Sequence, residues 1–248
     1  MGISAIEDTE DELGFLLRDL RTQADAAILE YDSAIWQKLF SIKFNFNSCM
    51  KSIGTLETVA AEEKKGEEVL LVRTTYYIQE APLYLESFLY FLTSLFDILA
   101  KITLYFYPTH RAAVPKHYFL RQIRFFTETE PALDARYRGV LENNRKWIET
   151  VFENRNAFAH NFAPFFAFQN DGSVMFEHRK PENADLTRKK QFQSTRDYLM
   201  NTLTSLYAFL DEFVKVHRDK VAESDITRVI RKAKEDGRVK RVSWSPTS

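Results

Sequence analysis

The residues of this chain best suited to chemistry stand together in Glu153-Asn154-Arg155-Asn156-Ala157-Phe158-Ala159-His160-Asn161, with Pro164 soon after. Read as the C-terminal part of an amphipathic helix, this stretch sets Asn156 and His160 one turn apart on one face. Arg155 lies about 140° round from His160 at the usual helical step, and its long side chain can swing toward the same groove. A guanidinium stabilises an anion through paired hydrogen bonds, and an imidazole takes up or releases a proton near neutral pH. With an amide beside them, these are the groups that phosphodiester cleavage without a metal requires.

Other chemistries find few candidates. The five histidines (His110, His117, His160, His178 and His217) show no H-x-x-x-H or E-x-x-H pairing of the kind that holds a metal on a helix. No G-x-x-x-x-G-K or G-x-G-x-x-G loop is present to cradle phosphates, and no G-x-S-x-G elbow to present a serine. Cys49 is the single cysteine, which excludes an internal disulfide framework and a cysteine-rich zinc site. Glu128 and Glu130 read as acids at a helix start, where they suit the dipole. Neither a metal nor a cofactor is therefore expected.

Composition bounds the elements that must position the motif. Apolar residues make up 45% of 248, with 21 Phe and 11 Tyr, enough for a substantial core. Only 7 Gly and 7 Pro favour long helices over a turn-rich β architecture. The net charge of −1 announces no global basic field, so any RNA contact has to be a local patch. The acidic N-terminus lacks the order of a signal peptide. Ile6 stands where myristoylation after Gly2 would want Ser or Thr, so a cytoplasmic location is expected.

Along the chain, residues 5–62 read as one long helix or two joined near Asp32, followed by a charged connector at 62–67. Leu70 to Tyr107 is the most apolar part, with Pro82 suited to the first turn of a helix reaching Tyr107. It is long enough to cross a bilayer, but Glu86, Asp97 and Lys101 would each cost roughly 2.5–3.5 kcal/mol there. A buried central helix is expected instead, with no membrane partner. Glu86, Tyr90, Thr93, Asp97 and Lys101 fall on one narrow stripe of it, a polar seam that a cationic Arg155 or His160 would complement.

A short helix is expected over 116–126. Thr129 then reads as the N-cap, and Pro131 as the first turn, of the helix carrying the motif. Asn170-Asp171-Gly172 between apolar runs predicts a small β-hairpin at about 164–178. Arg179 and Lys180 open a basic cluster beyond it, suited either to phosphates or to a solvated loop. A last core helix is expected over 190–220. The charged remainder, 222–248, reads as a partly flexible tail holding one amphipathic turn or two.

Arg155-Asn156-x-x-x-His160 late in a helix of an all-helical chain resembles the signature of the HEPN superfamily, the higher eukaryotes and prokaryotes nucleotide-binding domain. Leu85-Glu86-Ser87-Phe88 and Ser94-Leu95-Phe96-Asp97-Ile98-Leu99-Ala100 resemble its second core helix, where an acidic residue often lies near the Arg–His site. The resemblance implies an all-α, HEPN-like bundle of long helices with the hairpin inserted. A single domain would span 1–221, its HEPN core about 70–221, with the long N-terminal helices packed on it.

Many members of that family are metal-independent endoribonucleases of toxin or antiviral systems. They leave a 2′,3′-cyclic phosphate after attack by the 2′-hydroxyl. Arg155, Asn156 and His160 would be the catalytic residues, Glu86 and Asp97 supporting ones, and Arg179 and Lys180 substrate contacts. The partners implied are RNA, a second copy completing a shared cleft, and an antitoxin or regulatory protein. Two other readings of the same chain are a catalytically silent module that binds RNA, a nucleotide or a protein, and a helical oligomerisation scaffold.

Overall fold

Leucines and isoleucines at helical spacing open the chain and become two helices, α1 (Ile3–Gln23) and α2 (Ala27–Lys64). The structure is a computed structural model that describes residues 3–23, 27–64, 71–160, 166–169, 171–178 and 191–236. Among the described residues five further α-helices follow: α3 (Leu71–Thr103), α4 (Phe119–Arg124), α5 (Ala135–His160), α6 (Thr195–Arg218) and α7 (Asp225–Glu235). The fold is all-α, with one small antiparallel sheet between α5 and α6, in keeping with the expected class.

Several boundaries differ from the sequence reading, each for a local reason. Asp32 lies inside α2 and not at a junction, because its carboxylate accepts a hydrogen bond from the Trp36 indole N–H one turn on, at 2.8 Å. Pro82 is interior to α3, not in its first turn. The chain enters α5 at Ala135, past Thr129 and Pro131, because Asp134 is the residue that caps it. The Asp134 side chain accepts from the Tyr137 N–H at 2.9 Å, satisfying one of the free donors of the first turn. Asp134 also accepts from the Tyr107 hydroxyl at 2.6 Å and from the Lys220 ammonium. Burial alone would raise its pKa, but these bonds outweigh that and hold the carboxyl at about 2.

The expected hairpin is present as β1 (Phe166–Phe168) and β2 (Val174–His178), with Phe166 opposite Phe176 and Phe168 opposite Val174. Gly172 supplies the positive φ of 90° that the turn needs. A third strand, β3 (Gln191–Ser194), pairs antiparallel with β2 and occupies what the sequence reading gave to the start of the last helix. Arg179 and Lys180 lie outside the described residues, as does the tail beyond 236. The part of the tail that is described is more regular than expected. Ser224 caps α7 through the Thr227 N–H, and buried Asp19 accepts from the Ser224 and Thr227 hydroxyls at 2.6 Å each.

The chain divides into two compact units that alternate along the sequence. One draws on the described parts of Met1–Gln37, Leu95–Lys146 and Thr204–Ser245, and the other on those of Lys38–Ser94 and Trp147–Leu203. Each of α2, α3, α5 and α6 therefore gives a segment to both. The first unit is cored by Phe96, Phe119, Phe209 and Phe213, with ring centroids 5.0–6.1 Å apart. The second is cored by Phe46, Ile53, Leu56, Leu85, Phe88, Leu92 and Phe176, all at most 2% exposed. Gln79–Phe106 is long and apolar enough by composition to cross a membrane, yet most of it is buried within the protein.

Candidate functional site

The motif occupies the last turns of α5, in the second unit. Burial alternates there as an amphipathic helix requires. Asn154, Ala157 and Phe158 are buried, Arg155 is half-buried, and Asn156 and His160 are exposed one turn apart. The Arg155 guanidinium donates to the Asn156 side-chain carbonyl at 3.0 Å. It also lies 5.9 Å from the ring centroid of Tyr90 on α3. Two neighbours thus flank the guanidinium, and the imidazole of His160 stands in solvent at the helix end. Among the described residues, no hydrogen bond or ion pair links His160 to Arg155.

Asn154, immediately before the arginine, anchors this helix end. Fully buried, it donates through its amide N–H to the Tyr198 hydroxyl of α6 at 2.9 Å. Burial pushes the Tyr198 hydroxyl up to about 12, so it stays protonated at any ordinary pH. Phe176 of β2 closes the corner, 5.0 Å from the Tyr198 ring and 6.2 Å from the Phe158 ring between centroids. The sheet is therefore seated within the motif itself, on the residue midway between Arg155 and His160. Replacing Tyr198 with Phe leaves the buried Asn154 N–H without its acceptor, at a cost of about 1–3 kcal/mol. Urea unfolding followed by circular dichroism should register that loss.

The polar seam of α3 does two different jobs. Glu86 and Tyr90 belong to the second unit, Asp97 and Lys101 to the first. Tyr90 meets Arg155 as described, whereas Glu86, half-buried one turn earlier, forms no ion pair with Arg155 among the described residues. Asp97 accepts from the Phe119 N–H at 3.1 Å and so satisfies a free donor at the start of α4. Lys101 lies over the Tyr31 ring, 5.8 Å from its centroid.

A hollow of about 450 Å³ in the second unit is lined by α2 residues including Lys51, Thr55, Thr58 and Glu62, together with Arg196; none of the motif residues lines it. Arg196 is paired there with Glu57 at 2.7 Å. Among the described residues, no group of three His, Cys, Asp or Glu side chains is placed to hold a metal ion.

Sequence reasoning singles out Arg155, Asn156 and His160 as candidates but does not foresee Asn154 and Tyr198, which anchor the same helix end. It named Tyr90 only as a member of the seam. The signal for Asn154 was available, since it falls on the apolar face of α5 with Ile148, Val151 and Phe158. Comparison with family models, with curated proteins and with solved structures finds no match for this chain.

Proposed function

We propose that this protein is a HEPN-type, metal-independent endoribonuclease, acting in a toxin or antiviral defence role. The observation that carries the reading is the guanidinium of Arg155, hydrogen-bonded to Asn156, with a solvent-accessible imidazole one turn beyond Asn156 along α5. In this reading the 2′-hydroxyl of RNA attacks the adjacent phosphorus and the bond to the 5′-oxygen breaks. A 2′,3′-cyclic phosphate and a 5′-hydroxyl end result. His160 exchanges a proton, either taking it from the 2′-hydroxyl or giving it to the departing 5′-oxygen. Arg155 holds the phosphate and stabilises the charge that builds on it, and Asn156 keeps the guanidinium directed.

One imidazole supplies one of the two proton transfers, so a two-fold dimer bringing two motifs to one cleft belongs to the same proposal. The test is purified protein with labelled RNA in excess EDTA, beside a His160→Ala variant. Cleavage in chelator with cyclic-phosphate ends, lost in the variant, is the expected result. Intact RNA with binding retained would instead mark a catalytically silent module, and a strictly monomeric active protein would remove the shared cleft.

A further inference from the structure

The motif leaves one neighbour unexplained. The large apolar side chains around Tyr90 on α3, namely Phe88, Leu89, Leu92 and Leu95, are fully buried, yet Tyr90 is 48% exposed. Its ring is flanked by cations from two other helices, Arg155 of α5 and Lys38 of α2, each 5.9 Å from the centroid. Phe91 meets it edge-on at 5.5 Å and 76°, and Lys38 lies 4.9 Å from the Phe91 ring as well. A separation of 5.9 Å is near the outer reach of a cation–π contact. Both charges stand over the tyrosine ring at that reach, and the residue keeps about half of its surface exposed to solvent. All four side chains lie in the second unit, with the motif.

An accessible aromatic ring between two positive charges is the arrangement that single-stranded nucleic acid recognises, with a base on the ring and phosphates on the cations. Resting on the ribonuclease reading above, we infer that Tyr90 is the stacking platform for the base next to the scissile phosphate, and that Lys38 holds the phosphate on the other side of that nucleotide. The substrate class follows from the ring. A base can lie on Tyr90 only if it is free of its neighbours, so the strand is single-stranded or a loop, and a duplex is a poor ligand. Because the guanidinium that borders the ring also holds the reacting phosphate, stacking places that phosphate beside Arg155. The tyrosine hydroxyl has no part in this, whereas the ring is essential.

The experiment uses a fluorescein-labelled oligouridylate with 2′-O-methyl riboses, which cannot be cleaved, titrated with wild-type protein, Tyr90→Phe and Tyr90→Ala. Wild type and Tyr90→Phe should bind alike, with Tyr90→Ala weaker by about tenfold to a hundredfold. A single abasic position moved along the strand should find one place where wild type loses that same factor and Tyr90→Ala loses nothing more. On the cleavable strand, the Tyr90→Ala deficit should lie chiefly in KM, with a smaller loss in kcat because Arg155 loses one of its two neighbours.

Tyr90→Ala binding as tightly as wild type would overturn the inference, as would abasic and alanine losses that simply add at every position. Either result, with EDTA-resistant cleavage intact in wild type, leaves the ribonuclease reading standing. A wild-type protein that neither binds nor cuts any of the four homopolymers removes both.

Discussion

Cleavage by an Arg155→Ala variant is expected to fall by about a hundred- to a thousandfold, the loss typical when one donor to a developing oxyanion is removed. Arg155→Lys is expected to fall nearly as far, although it keeps the charge. The guanidinium works here through geometry. One nitrogen donates to the Asn156 side-chain carbonyl at 3.0 Å, and the planar group stands over the Tyr90 ring, 5.9 Å from its centroid. That leaves a fixed fork of N–H groups for phosphate oxygens. An ammonium is a compact charge on a flexible stem and reproduces neither contact in the same place.

An Asn156→Ala change should show a smaller version of the same defect, because it frees the guanidinium without removing it. Combining Arg155→Ala with His160→Ala should cost little more than either alone, as groups acting on one transition state are strongly non-additive. Single-turnover cleavage in EDTA measures all four. An active Arg155→Lys variant would sink the assignment of a positioned guanidinium, and additive losses would sink the shared transition state.

How far the sequence carries is clearest along α3 and α5. Periodicity fixes the buried faces of both helices, because a core position depends only on apolar side chains recurring at helical spacing. It also separates exposed Asn156 and His160 from buried Phe158. The start of α5 was misread because Thr129-Glu130-Pro131 has the composition of a helix start. The cap is decided by Asp134, whose carboxylate is held by Tyr107 and Lys220, the latter 86 residues away in sequence. No local pattern carries a contact of that kind. The seam on α3 was legible as a stripe, but not its division: Asp97 is occupied by the Phe119 N–H, 22 residues on, while Tyr90 turns toward Arg155. The third strand was missed for a similar reason. Gln191–Ser194 is short and polar, and it is a strand because β2 offers it a free edge.

The second large effect concerns stability in acid. Lowering the pH from about 7 to about 4.5 is expected to cost the folded state a few kcal/mol through one side chain, His217. That imidazole is fully buried, with the rings of Phe106, Phe213 and Tyr137 at 4.2, 4.4 and 4.6 Å between centroids. The Phe213 carbonyl, 2.8 Å from Nδ1, can only accept, so Nδ1 carries the hydrogen. Nε2 is buried with no hydrogen-bond partner among the described residues. Burial first, and the Lys220 ammonium second, push its pKa down from 6.5 to about 3.

The unfolded chain therefore takes up this proton near pH 6.5 and the folded chain only near 3. Across that interval the unfolded state binds more protons, so stability rises with pH; it is fully present above 6.5 and lost progressively toward 3. Each unit of depression is worth about 1.4 kcal/mol. Asp134, held at about 2 against an ordinary 3.8, adds a further loss only below about pH 4. A His217→Phe variant keeps the aromatic packing and cannot take up the proton. Its urea midpoint should change much less between about pH 7 and about pH 4.5 than that of wild type. Equal pH slopes for the two proteins would mean that the imidazole is not held neutral inside the aromatic cluster.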